Sequence, residues 1–195
     1  LYYGELVLKL ITAAMVAAVR DDRERHRYRH CHRLVRADGL GEWHAVLRDV
    51  LLGPSSQYLD PVAQQDAREL TEKQPTGRPV YDATKVLGGC LALLQIEAPA
   101  TPGHLSFMHW ADAFVILRNK TRGHGAQRSS ALATVSAPLR DSIDRIADSL
   151  SLFQRPWAYL KRNLSGKYRV TALAGDTASL SELKPRTDVS FADGT

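Results

Sequence analysis

Apolar residues fill most of the run from Leu6 to Val19, an arginine-rich stretch follows, and no proline or glycine interrupts the chain between Glu5 and Ala37. This predicts one long first helix over about 4–37, apolar and then polar, ended by Asp38-Gly39. Trp43, Val46, Leu47 and Val50 recur at helical spacing, so a second helix is expected from about Gly41 to Leu52, closed by Gly53-Pro54. Asp60-Pro61 reads as an N-cap with proline in the first turn, opening a helix to about Lys73, and 74–79 is a loop. From Asp82 to Ile96, Ala83, Val86, Leu87, Cys90, Leu91 and Leu94 form the stripe of a core-facing helix. A loop at 97–103 precedes the apolar segment Leu105 to Arg118. A last helix is expected over 127–152, with Leu132, Val135, Leu139, Ile143, Ile146 and Leu150 on its buried side and a bend at Pro138.

Beyond Phe153 the period changes. Trp157 to Leu160, Tyr168 to Leu173 and Ala178 to Leu183 are short β-like runs broken by Ser165-Gly166 and Gly175-Asp176. The expected organisation is therefore an all-α helical bundle over 1–152 and a short β appendage over 153–195, which reads as the start of a further domain.

Composition narrows the function classes. At 195 residues, 44% of them hydrophobic, the chain suits one globular domain with a small appendage. The net charge is +5, and most of the 26 cations are arginine, the side chain best matched to phosphate oxygens. Cys31 and Cys90 are too few for a disulfide framework and not spaced as a zinc knuckle, which makes a reducing cytoplasm the expected setting. The 14-residue apolar run carries Lys9 and Thr12, too short and too polar for a membrane span. No basic region precedes it, and Arg20-Asp21-Asp22 follows where a signal-peptide cleavage site would need small residues. The start at Leu1 rather than methionine reads as a trimmed end or a piece of a longer protein.

One stretch carries chemistry. In "ILRNKTRGHGA", residues 116–126, Arg118 stands near the end of an apolar helix, Gly123 and Gly125 give the backbone freedom, and His124 lies in the turn towards the next helix. An arginine that holds phosphate and a histidine that titrates near neutrality are the parts needed to cleave RNA without a metal. The imidazole exchanges protons with the 2′-OH or the leaving oxygen, and the guanidinium stabilises the anionic phosphorane. Lys120, Arg122 and Arg128 add cations that would attract an RNA strand. Most of the stretch also has a purely structural explanation, since cations and a following glycine are favoured at any helix C-terminus. His124 is the residue that explanation leaves over.

The stretch resembles the signature of the HEPN superfamily: an arginine, a polar residue beside it, and a histidine after four to six intervening residues. Arg118, Asn119 and His124 fill those positions, and the helix-rich organisation of 4–152 agrees, whereas the tail lies outside the resemblance. The resemblance implies a HEPN-like helical bundle that pairs as a homodimer, two motifs facing one another across a composite cleft. It implies a metal-independent endoribonuclease needing no cofactor. His124 would be the acid/base group, Arg118 the phosphate and transition-state contact, and Asn119 their support. It further implies a setting in bacterial defence or toxin-like growth arrest, with a regulatory or sensor domain in the full-length protein. Some members are non-catalytic, so a module for dimerisation or RNA binding is the alternative.

Other features keep two readings. "RDDRERHRYRHCHRLVR", residues 20–36, is either an RNA-binding strip with Tyr28 for stacking or a solvated helix extension. His26, His30 and Cys31 have partial metal-ligand spacing among repelling arginines. His104 and His109 either line the same cleft as Arg118 or serve the structure, and Trp43 and Trp110 read as core. Ser129-Ser130 lacks an acidic partner at triad spacing, and "LSGKYR", residues 164–169, lacks the leading glycines of a phosphate loop and reads as a turn.

Overall fold

A computed structural model of the chain describes residues 1–20, 23–99, 102–123, 129–164, 166–174 and 189–191. It is mainly helical with a small C-terminal sheet, and it divides into two compact units, Leu1–Leu150 and Ser151–Thr195.

The first unit holds α1 (Tyr2–Ala17), α2 (His26–Val35), α3 (Leu40–Leu52), α4 (Pro61–Thr71), α5 (Pro79–Leu93), α6 (Phe107–Arg118) and α7 (Ser129–Ser149). α5 packs most extensively on α7, while α3 lies against α1 and α6. Along α6 a column of fully buried rings forms the centre of the core: Phe107 stacks on Trp110 at 5.6 Å, and Trp110 on Phe114 at 5.1 Å. Trp110 Nε1 donates to Ser142 Oγ on α7 at 2.9 Å, and that hydroxyl donates to the Ala83 carbonyl on α5 at 2.7 Å. One serine thus satisfies the buried indole N–H and ties three helices together.

The expected first helix over 4–37 is in fact two helices. Ala18 to Arg20 leaves α1 to pair with Tyr58 to Asp60: Arg20 N–H donates to the Tyr58 carbonyl at 2.8 Å, and Asp60 N–H to that of Ala18 at 3.1 Å. Val19 and Leu59 are both buried at this bridge. Local helix propensity is worth tenths of a kcal/mol per residue, roughly, and burying a valine outweighs it. Arg25, at φ 56°, then turns the chain into α2.

Other boundaries also have local causes. Asp60 accepts from Ala63 N–H at 2.9 Å, the expected N-cap, with Pro61 in the first turn. α5 starts at Pro79 rather than Asp82 and stops at Leu93 rather than Ile96. Its end is a Schellman closure, with Ile96 N–H on the Leu91 carbonyl at 2.9 Å and Gln95 N–H on that of Ala92 at 3.0 Å. The left-handed residue there is Gln95, at φ 57°, not a glycine, so nothing in the composition announced it. The two loops around α5 pair as two-residue strands, β1 (Gln74–Pro75) with β2 (His104–Leu105). Pro138 is accommodated inside α7.

In the second unit, β3 (Trp157–Arg162) pairs antiparallel with β4 (Tyr168–Ala174), and β5 (Val189–Phe191) lies parallel to β4. The "LSGKYR" stretch contributes to the β3–β4 turn: Lys167 N–H donates to Asn163 Oδ1 at 2.9 Å, and Gly166 takes φ +83°, where a side chain would be strained. The β-like run 178–183 lies outside the described residues. Among the described residues no helix is long and apolar enough to cross a membrane.

Candidate functional site

Arg118 is the last residue of α6, and Asn119–Gly123 continues it as a single π-helical turn. Buried Thr121 is held within this turn: its Oγ1 donates to the Leu117 carbonyl at 2.7 Å and approaches that of Arg118 at 3.3 Å. Single π turns inside α-helices frequently mark functional positions, because they re-aim side chains that an α-helix would send elsewhere. Here Arg118 and Arg122 both swing onto one carboxylate.

That carboxylate is Glu5, on α1. Its side chain is only 10% exposed, with Oε1 at 3.3 Å from Arg118 Nε and 3.4 Å from Arg122 Nη1. α1 comes close enough because Gly4 packs directly on Phe114; a Cβ at residue 4 would stand 2.3 Å from the ring. Arg122 lies 3.9 Å over the Tyr2 ring and also donates to the Tyr2 hydroxyl. That hydrogen bond foremost, then Glu5, makes the charged form of Arg122 still more favourable. Arg118 Nη1 reaches Asn119 Oδ1 at 3.4 Å, a weak contact that turns the amide towards the guanidinium. Among the described residues Arg118 Nη2 has no partner, while Nε is held by Glu5 and Nη1 weakly by Asn119, so Nη2 is the donor left for an anion.

Lys120 is exposed on the same turn. Beside the clamp opens a cavity of about 720 Å³, walled by Tyr2, Leu132, Val135, Leu139 and Ile143 with Arg122 at its edge. Its size and apolar walls suit a flat aromatic group next to a bound anion. His124 and Arg128 lie outside the described residues.

The other candidates fall elsewhere. His109 closes the start of α6, where its Nδ1 accepts from Ser106 N–H at 3.1 Å and lies 2.9 Å from Ser106 Oγ. Nine residues of helix, about 14 Å of rise, separate it from Arg118, so it does not line the same cleft. His104 is exposed in β2, Trp110 is core, and Trp43 is half-buried with Lys9 Nζ 5.5 Å from its ring centroid. His30 is buried with Nε2 at 3.0 Å from Ser55 Oγ, whereas Cys31 is exposed, so the partial metal spacing does not converge. Among the described residues no three His, Cys, Asp or Glu are grouped to hold a metal.

Glu5 is the residue that motif reading missed. One sign of it was available: Glu5 shares a helical face with Leu8, Thr12 and Met15, all buried, and a lone carboxylate on such a face needs a cationic partner. That the partner is Arg118, 113 residues away, is a tertiary fact. Compared with known proteins, the chain matches no family model, no curated protein and no solved structure.

Proposed function

We propose that the protein is a HEPN-like, metal-independent endoribonuclease that cleaves RNA by attack of a 2′-OH on the adjacent phosphate, at a composite site formed by a dimer. The observation that carries this reading is the half-buried guanidinium of Arg118, held at Nε by Glu5 and with no partner at Nη2 among the described residues, on a π turn whose next residue is His124. A preorganised cation costs no reorganisation when negative charge develops on phosphorus. In this reading Arg118 stabilises the phosphorane, Asn119 orients it, and His124 moves the proton. Lys120, Arg122 and Arg128 guide the strand, and the adjoining cavity receives a base.

The dimer rests on the outer face of α1, where Tyr2, Tyr3 and Leu6 are 71%, 42% and 53% exposed beside the clamp. An apolar face next to an incomplete site suits a second copy, which would double the catalytic groups over one phosphate. A cytoplasmic setting in defence or toxin-like arrest, and control by a regulatory domain, belong to the same proposal.

One observation favours a second reading. Glu5 already neutralises part of Arg118 and Arg122, so the clamp also works as a tie between α1 and α6 in a non-catalytic module. The readings separate in a cleavage assay on single-stranded RNA in EDTA. Activity that survives chelation and disappears in folded Arg118→Ala and His124→Ala supports the enzyme. Full activity in either variant removes its residue from the mechanism, and no cleavage by the activated full-length protein leaves the structural module.

A further inference from the structure

α2 is a helix that the core hardly uses. Of its ten residues only His30 is buried, anchored through Ser55, while Tyr28, Arg29, Cys31, His32, Arg33 and Val35 are exposed. At 100° per residue, Tyr28 and His32 point directly away from the buried face, and their rings stack at 6.3 Å. Arg29 lies on the helix beside this stack, and Arg25 and Arg36, both exposed, flank it at the N-cap and C-cap of α2. Arg25 and Arg36 make no ion pair among the described residues. Arg29 pairs with Glu24 at 3.6 Å with both side chains more than 60% exposed, a contact readily exchanged for a phosphate.

α2 has a direction within the unit. α2 runs antiparallel to α3, since His30 meets Ser55 just past the end of α3 while Arg33, further along α2, pairs with Asp49 within it. α6 also runs antiparallel to α3: His44 and Arg48 approach Asp112, and Gly41 faces Val115. α2 and α6 therefore run the same way, and Arg36 lies towards the end of the unit where Arg118 is found.

We infer that Arg25, Arg29 and Arg36, along and at the two ends of α2, form with the Tyr28–His32 stack a binding surface for single-stranded RNA, separate from the Arg118 turn, that leads a strand towards it. The charge is complementary to a phosphate backbone, and exposed planar rings beside cationic side chains are the arrangement that grips unpaired bases without reading their sequence. α2 has ten residues, about 15 Å of helix, with an arginine at each end, enough for several phosphates. A strip serving only solubility has no need of stacked rings between its arginines, and like charges four apart weaken an isolated helix.

The choice of RNA rests on the reading of the Arg118 turn, so the test separates binding from cutting. A fluorescein-labelled 2′-O-methyl uridine-rich 20-mer cannot be cleaved by 2′-OH attack, and its binding to the full chain is followed by anisotropy across a salt series. Arg25→Gln/Arg29→Gln/Arg36→Gln should weaken binding at least tenfold and lower the slope of log K against log salt by about 2, while Tyr28→Ala should weaken it about tenfold. Arg68→Gln/Arg78→Gln/Lys85→Gln, exposed cations elsewhere, removes the same charge and should change binding less than threefold. Circular dichroism confirms that each variant is folded. Equal loss in both triple variants, or unchanged RNA binding in the α2 triple with loss of phosphatidylserine-vesicle binding instead, overturns the inference. If the oligonucleotide binds through α2 but natural RNA is not cut, the surface stands and the nuclease reading fails.

Discussion

Replacing Gly4 by alanine sets two opposed effects against each other. Helix propensity alone predicts stabilisation, at most about 1 kcal/mol, because alanine is the better helix former and loses less backbone entropy. Packing predicts the reverse. The new Cβ would lie 2.3 Å from Phe114 Cζ and 2.4 Å from Cε2, so the ring or α1 must move. The ring has no free space: Phe114 is fully buried and stacks on Trp110 at 5.1 Å with planes 5° apart. Overpacking of a full core costs about 1–3 kcal/mol, and Gly4 sits in the first turn of α1, where the propensity gain is smaller than in a helix interior. The net expectation is a loss of about 2 kcal/mol, or a fall in Tm of about 4–8 °C for a unit of this size. Thermal unfolding followed at 222 nm measures it. Because the strain is relieved by moving α1 off α6, Glu5 withdraws from Arg118, and cleavage should fall in the folded variant at low temperature. An unchanged or higher Tm would refute the close-approach account of Gly4 and, with it, the explanation of how Glu5 reaches the clamp.

Glu5→Gln should cost about 2 kcal/mol in urea unfolding, less than the 3–5 typical of breaking a fully buried pair because both guanidiniums keep some water; an unchanged midpoint would make the clamp incidental. Ser142→Ala leaves the Trp110 N–H unpaired in the core and should cost about 1–3 kcal/mol; a neutral result would mean that another group takes over this bond. His30 and His44 are both held below the ordinary histidine value, chiefly by burial, so the folded state resists protons that the unfolded chain accepts. Their contribution is steady above about pH 6.5 and is lost as pH falls below it, until both protonate in the fold as well. Tm should therefore drop between pH 7 and 5, less steeply in His30→Gln; equal slopes would remove His30 from this dependence.

Periodicity carried the helical bundle, since stripes such as Ala83, Leu87, Cys90 and Leu91 bury one face whatever lies opposite. Asp60-Pro61 marked a helix start because a cap is a local hydrogen bond. The change to short β-like runs after Phe153 was likewise local, and β3 and β4 formed there. Arg118 and Asn119 stand side by side for the same reason: neighbours in sequence are neighbours in space.

What tertiary structure decided was non-local. The split of the first helix depended on Leu59 being present to cover Val19, which no window of 4–37 contains. The Schellman end at Gln95 placed a non-glycine residue in the left-handed region, where composition gives no warning. Glu5 read as one polar residue at the start of an apolar helix until the fold brought Arg118 and Arg122 to it. Sequence determined which faces must be buried and which residue types could do chemistry. Only the fold determined which buried charge meets which, because that depends on how closely two helices approach, and here on the missing side chain of Gly4.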